Sequence, residues 1–236
     1  MAYDFLGLVN QVNRRLNEVE LTTSNFSTAT GFYAHAKDAV NSSIRDINQT
    51  EYNWPFNHVE EEEDVTANTM RYDFAQDAKT VSMDTFRIKE SSTLGVSTKK
   101  LKQISYEEYL DKYIHLEYTT NNTGVPDYVF RSPNLQYGLV PVPDKAYTLI
   151  YEYYIFPTDL ELQDDIPSIP ERFAHVIVNG AMFYAYLFRG NTQDAMVAKE
   201  KFEEGLKSMR SLLINRYDYV RSYAINRNTF ASNVLS

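Results

Sequence analysis

The sequence predicts an α+β protein, a four-helix unit formed by both chain ends with an antiparallel β-rich domain inserted between its second and third helices. Three observations lead there. Apolar residues recur at helical spacing near both ends of the chain. From Phe56 to Phe156 the dominant period is two, broken by turn residues, with one short helix inside. A nearly all-apolar run, Phe173 to Phe188, must be covered on most sides, and neither helical pair alone can cover it. Burial therefore brings the two ends together. The expected divisions are 1–54 (N-terminal helical pair), 55–160 (inserted β-rich domain), 161–217 (C-terminal helical pair) and 218–236 (a C-terminal docking tail).

The first helix is expected from Asp4 to about Val19, because Phe5, Leu8, Val12, Leu16 and Val19 make one apolar stripe. A Ser/Thr-rich loop, Thr22 to Thr30, separates it from a second helix over about Ala29 to Asn48. Phe32, Ala36, Val40, Ile44 and Ile47 mark the buried face of that helix. Trp54-Pro55-Phe56 ends the helical period, since proline disfavours helix at the residue before it.

Alternation then marks strands at Met70–Phe74, at Thr85–Ile88, through Val129, Leu135, Tyr137 and Leu139, and from Tyr147 to Phe156. Asn122-Thr123-Gly124 and Pro143-Asp144 read as turns between them. Ser105-Tyr-Glu-Glu108 is a capping box for a short helix reaching Tyr113.

Helix returns at Ile169-Pro170-Glu171 and runs to about Arg189, with Gly190 as the C-terminal cap. Thr192 is placed to cap a last helix extending to Tyr217, whose seam is Ala195, Ala198, Phe202, Leu206, Met209 and Leu213. No internal repeat is present.

Composition narrows the function. The chain has 236 residues, 43% hydrophobic and 23% charged, as in ordinary globular proteins. Its formal net charge of −9 opposes free binding to nucleic-acid backbones, although a local basic patch is compatible with it. It has no cysteine, which removes disulfides, thiol nucleophiles and Cys-based zinc sites, and fits a reducing compartment. The start, Met-Ala-Tyr-Asp-Phe-Leu, has no basic region and no apolar core of a secretory signal, so the sequons at Asn25 and Asn121 are read as chance. Phe173–Phe188 is too short to span a bilayer and carries His175 and Asn179, so no membrane association is expected. The 19 Tyr and 13 Phe suit either strand faces or surfaces that are wet alone and covered in a complex.

No catalytic motif stands out. His35, His58, His115 and His175 show no His-Glu-x-x-His spacing, and His175 reads as a core histidine. There is no phosphate-binding glycine loop and no Gly-x-Ser-x-Gly elbow. No enzyme activity, metal or cofactor is expected. The run Glu60, Glu61, Glu62, Glu63 and Asp64 lacks the glycine turn of a calcium loop and reads as a repulsive acidic surface, a candidate channel lining. The C-terminal residues Arg216, Tyr217, Tyr219, Arg221, Tyr223, Arg227 and Phe230 combine arginines and aromatics, the types enriched at protein–protein hot spots, and are the candidate docking residues.

The order of parts resembles a family. Two N-terminal helices ending in Trp54-Pro55-Phe56, a β insertion, Val125-Pro-Asp-Tyr128, the strand Leu139 to Leu149, and Ile-Pro-Glu-Arg-Phe opening an apolar helix resemble the head-to-tail adaptors of tailed bacteriophages, closest to the tail tubular protein A-like adaptors of short-tailed phages. The resemblance implies a homo-oligomeric ring, usually a dodecamer, beneath the portal protein at the capsid vertex. It implies a downstream tail or nozzle protein as the other partner, duplex DNA passing through without sequence-specific binding, and a virion location reached by assembly in the host cytoplasm. It implies no catalytic residues. Another neck or tail component, such as a stopper or tail-completion protein, would share these interfaces. A Tyr-rich carbohydrate-binding or hydrolytic module would instead need a cleft lined by Trp54 and tyrosines with paired carboxylates.

Overall fold

Asp4 opens the first helix: its Oδ1 accepts from the Gly7 N–H at 2.7 Å, satisfying a donor that the helix leaves unpaired. The computed structural model describes residues 2–92, 95–119 and 122–214, and they form a mixed α+β fold. Helix α1 (Phe5–Arg15) ends before the expected Val19. Asn17 adopts a left-handed φ of 58° and turns the chain away, leaving Val19 74% exposed. Helix α2 (Phe32–Thr50) starts later than Ala29 because Gly31, at φ 60°, breaks the helical path just before it.

In the inserted segment β1 (His58–Val65) pairs with β10 (Tyr147–Ile155), β10 with β3 (Ala78–Ser92), and β3 with β4 (Gly95–Lys100), all antiparallel. This gives one sheet in the order β1-β10-β3-β4. A second sheet has the order β2-β8-β7-β5, from β2 (Arg71–Asp73), β5 (Lys102–Ile104), β7 (Tyr128–Ser132) and β8 (Gln136–Val140). The pairing of β5 with β7 is parallel, so the insertion is antiparallel-rich rather than wholly antiparallel.

Three strand expectations change. Thr85–Ile88 is only the centre of the long β3. Leu135 does not face inward with Tyr137 and Leu139: at φ 58° it forms the hairpin turn and is 69% exposed. Thr123–Gly124 (β6) pairs in parallel with Val142–Pro143 (β9) instead of forming a simple turn. The inward faces of the sheets bury Phe86, Ile88, Tyr137, Leu139, Leu149 and Tyr151 together. The tyrosines of β10 at 147, 151 and 153 are therefore core residues, not a docking face. Helix α3 (Tyr106–Lys112), capped by Ser105 Oγ on the Glu108 N–H, is followed by the short α4 (Ile114–Glu117), and Tyr109 stacks on Phe130 at 3.9 Å.

A 3-10 turn, Glu171–Phe173, leads into α5 (Ala174–Phe188). Gly190, at φ 72°, ends it: Gly190 N donates to Leu187 O and Asn191 N to Tyr186 O, each at 3.0 Å, the paired bonds of a Schellman cap. Asn191, not Thr192, caps α6 (Thr192–Leu213), accepting from the Asp194 N–H at 3.2 Å. A single hydrophobic cluster unites Phe5 and Leu8 of α1, Val40 and Ile47 of α2, Ile177 and Ala181 of α5, and Phe202 and Met209 of α6. A Cβ at Gly180 would lie 2.2 Å from Ser43 Oγ and 2.9 Å from the Phe202 ring, so glycine there lets α5 approach α2 and α6 closely. The cover is incomplete at the first turn of α5: His175 is exposed rather than a core histidine. No helix among the described residues is long and apolar enough to cross a membrane.

Candidate functional site

The β1-β10-β3-β4 sheet buries one face and shows the other to solvent. Cross-strand partners share a face, so its register fixes which charges sit together. Across the exposed face Glu62, Ile150, Arg87 and Lys100 lie in one row, and Asp64, Thr148, Lys89 and Thr98 in the next. Acid thus collects at the β1 edge and base at the β4 edge. Glu60 stands directly opposite Glu152, and Arg87 directly opposite Lys100. Lys89 reaches back over β10 to Glu62 at 2.7 Å, and Asp64 accepts from Thr148 Oγ1 at 2.9 Å.

The acidic run does not act as one surface. Strand geometry sends Glu60, Glu62 and Asp64 outward, while Glu61 and Glu63 are half-buried. Glu63 accepts the Tyr137 hydroxyl at 2.8 Å. Burial pushes the Glu63 carboxyl above its ordinary range, the Tyr137 bond opposes this, and Glu61 and Asp73 add to it. Tyr137 itself is driven far above the usual phenol range, first by burial and then by Glu63.

The insertion meets the helices through a loop, residues 156–170, and through the C-terminal end of α2. Arg45 grips Asp159 with two bonds, at 2.8 and 2.6 Å, and this bond holds the Asp159 carboxyl below its ordinary range. Asn41 pairs with both the N–H and the carbonyl of Leu160. Asp165 accepts from the N–H groups of Glu161 and Leu162 at 2.7 Å each. A cleft of about 440 Å³ opens here, lined by Ile44, Phe156, Asp159 and Asp165 among others. Both of those carboxylates are already engaged, so the cleft offers no free acid–base pair from them.

In the second sheet Arg71 makes two bonds to Glu117, at 2.9 Å each, and Tyr109 also donates to Glu117. Burial raises the Glu117 carboxyl, but the bonds from Arg71 and Tyr109 outweigh it and leave it below its ordinary range. Burial with the Glu117 bond pushes Tyr109 up to about 12. This is a structural clamp between α3, α4 and β2.

The histidines lie apart. His35 stacks on Phe188 at 4.1 Å, His58 contacts Glu152 at 3.3 Å, and His115 sits on α4. Among the described residues no group of three or more His, Asp and Glu could hold a metal ion. Trp54 is fully buried, donating Nε1–H to Ile47 O at 2.8 Å, so it cannot line a sugar-binding cleft. An exposed apolar patch does exist on the helices, where Phe188 (55% exposed) and Leu187 adjoin Phe32 and His35.

Arg216, Tyr217, Tyr219, Arg221, Tyr223, Arg227 and Phe230 lie outside the described residues. Within them, sequence reasoning found the acidic run but neither the strand β1 that carries it nor the opposed pairs Glu60–Glu152 and Arg87–Lys100. Nothing local signals these pairs, because they depend on which strands become neighbours.

A family model described as SU10 adaptor protein matches residues 3–227. The search of curated proteins found no match.

Proposed function

The chain belongs to the SU10 adaptor protein family, and from that premise we propose that it forms a ring beneath the phage portal, joining the capsid vertex to the tail and leaving a channel for the genome. The family match over nearly the whole chain carries the reading, since it indicates a phage adaptor with a structural place in the neck or tail.

The physical features support the finer picture. Separate hydrophobic clusters, one in the helices and two in the insertion, favour the division at about residues 54 and 160 into a helical unit and a β-rich unit. The exposed patch at Phe188 and Leu187 gives the helical unit an apolar contact surface. A net charge of −9 suits a conduit for duplex DNA, which carries about one negative charge per 1.7 Å and would slide past carboxylates rather than adhere. Of the acidic strand, Glu60, Glu62 and Asp64 face solvent, and Glu60 is the one without an ion pair or side-chain hydrogen bond among the described residues. The tail from Arg216 onward is the proposed contact with the portal. A tail or nozzle protein is the proposed partner below.

The test is electron microscopy of the purified chain with and without its portal protein. Rings, free or seated on the portal, are expected. A chain that forms no ring in either condition and binds no portal would overturn the proposal.

A further inference from the structure

The exposed face of the β1-β10-β3-β4 sheet carries an unresolved electrostatic problem. Glu60 and Glu152 are directly opposed carboxylates at one edge, and Arg87 and Lys100 are directly opposed cations at the other. Opposed cross-strand side chains sit about 5 Å apart, and like charges there oppose pairing. Among the described residues, neither Arg87 nor Lys100 has an ion-pair partner, and neither does Glu60. Glu152 has only the contact with His58. Two nearby carboxylates are already used, Glu62 by Lys89 and Asp127 by Lys99.

The two unneutralised pairs are complementary to each other. They lie on the same face: Arg87 and Glu152 are diagonal neighbours on β3 and β10 that form no ion pair, while Lys100 and Glu60, on the two edge strands, are roughly 14 Å apart at the usual strand spacing, too far to meet within one chain. A second copy of the chain supplies what each lacks. Strands β1 and β4 run in opposite directions, so β1 of a second copy set beside β4 in the same orientation continues the antiparallel alternation. Contact between two different edges is heterologous, the type that closes into rings.

We propose that the charged sheet edges form the contact between neighbouring copies of this chain, with Arg87 and Lys100 of one copy facing Glu60 and Glu152 of the next. The inference rests on the ring reading above, and it assigns the solvent face of β1 to a neighbour rather than to the channel.

Two full-length variants test it, Glu60→Lys/Glu152→Lys and Arg87→Glu/Lys100→Glu. Self-association is followed by sedimentation velocity, and assembly on the portal by electron microscopy. Each variant alone is expected to associate at least about tenfold more weakly than the unaltered chain. Mixed in equal amounts they should assemble again, because one now has two basic edges and the other two acidic ones. The unaltered chain should weaken between about 0.05 M and about 0.5 M salt, where screening shortens from beyond 10 Å to a few ångström. All four side chains lie on the solvent face, and melting curves verify folding. If one reversal fails to fold, the neutral variants Glu60→Gln/Glu152→Gln and Arg87→Gln/Lys100→Gln replace the pair and must lose the salt dependence. Variants that assemble like the unaltered chain overturn the inference and leave the ring reading intact. Loss of duplex-DNA affinity in Arg87→Glu/Lys100→Glu without loss of association also overturns it, making that edge a DNA contact. An unaltered chain that never forms rings removes the ring reading itself, and the inference with it.

Discussion

Lys79, on β3, donates its ammonium to the Glu51 carbonyl at 2.7 Å and also to the Asn48 carbonyl, closing the C-terminal end of α2 from a different part of the chain. Helix α2 has no basic residue in its own last turn. Arg210 of α6 adds a second cation there, 2.5 Å from Glu51 and 3.2 Å from the Thr50 carbonyl. Unpaired carbonyls at a helix C-terminus carry partial negative charge, so both cations are favourably placed.

Lys79→Met keeps the apolar stem and removes the donor. It should lower unfolding free energy by about 1–3 kcal/mol, the cost of leaving partly buried carbonyls without their charged partner. Urea denaturation followed by circular dichroism reads this directly. A loss no greater than that of an exposed control such as Lys199→Met would refute the capping role.

Gly180→Ala places a methyl 2.2 Å from Ser43 Oγ. The expected cost is about 1–3 kcal/mol of overpacking. Because Ser43 is the nearest obstacle, Gly180→Ala combined with Ser43→Ala should cost less than the sum of the two single changes. Additive effects in that double-mutant cycle would show that α5 and α2 tolerate the separation.

Glu117 has a carboxyl held below its ordinary value of 4.5 by Arg71 and Tyr109, against the effect of burial. A depressed carboxylate contributes stability that is present above the unfolded value and lost as pH falls through the folded one. Stability of the unaltered chain should therefore fall more steeply below about pH 4.5 than that of Glu117→Gln. Parallel slopes in that range would mean the clamp is not linked to protonation. Arg71→Lys should not substitute, since an ammonium cannot make the two parallel bonds of the guanidinium.

Removing residues 217–236 should leave the protein folded, because the described residues already build the helical cluster, with Met209, Leu213 and Ile214 packed at the end of α6. Portal capture by the shortened chain should be weaker. Unchanged capture would exclude Tyr217, Tyr219, Arg221, Tyr223, Arg227 and Phe230 from the docking surface and move attention to the patch at Phe188.

Much of the fold was legible in the chain because its cues are local. The stripe of Phe5, Leu8 and Val12, the seam of Ala198, Phe202 and Met209, the Ser105 cap and the Gly190 stop each depend on residues within a few positions. Errors arose where a local cue met a backbone exception: Asn17 ended α1 before Val19, and Leu135 turned outward at positive φ. His175 was misplaced because an apolar helix need not be covered at its first turn.

The amino-acid sequence by itself determined the class of the protein, the positions of its long helices and the alternation of its main strands, since backbone periods and caps act over one or two turns. It also determined the net charge and the lack of thiol chemistry. Only the tertiary structure decided which strands are neighbours and in what register. That choice divided the acidic run into an inner Glu63 bonded to Tyr137 and an outer Glu60 facing Glu152, and it set Arg87 against Lys100. Contacts of this kind join residues far apart in the chain, and they follow from the collective burial of both sheets rather than from any one segment.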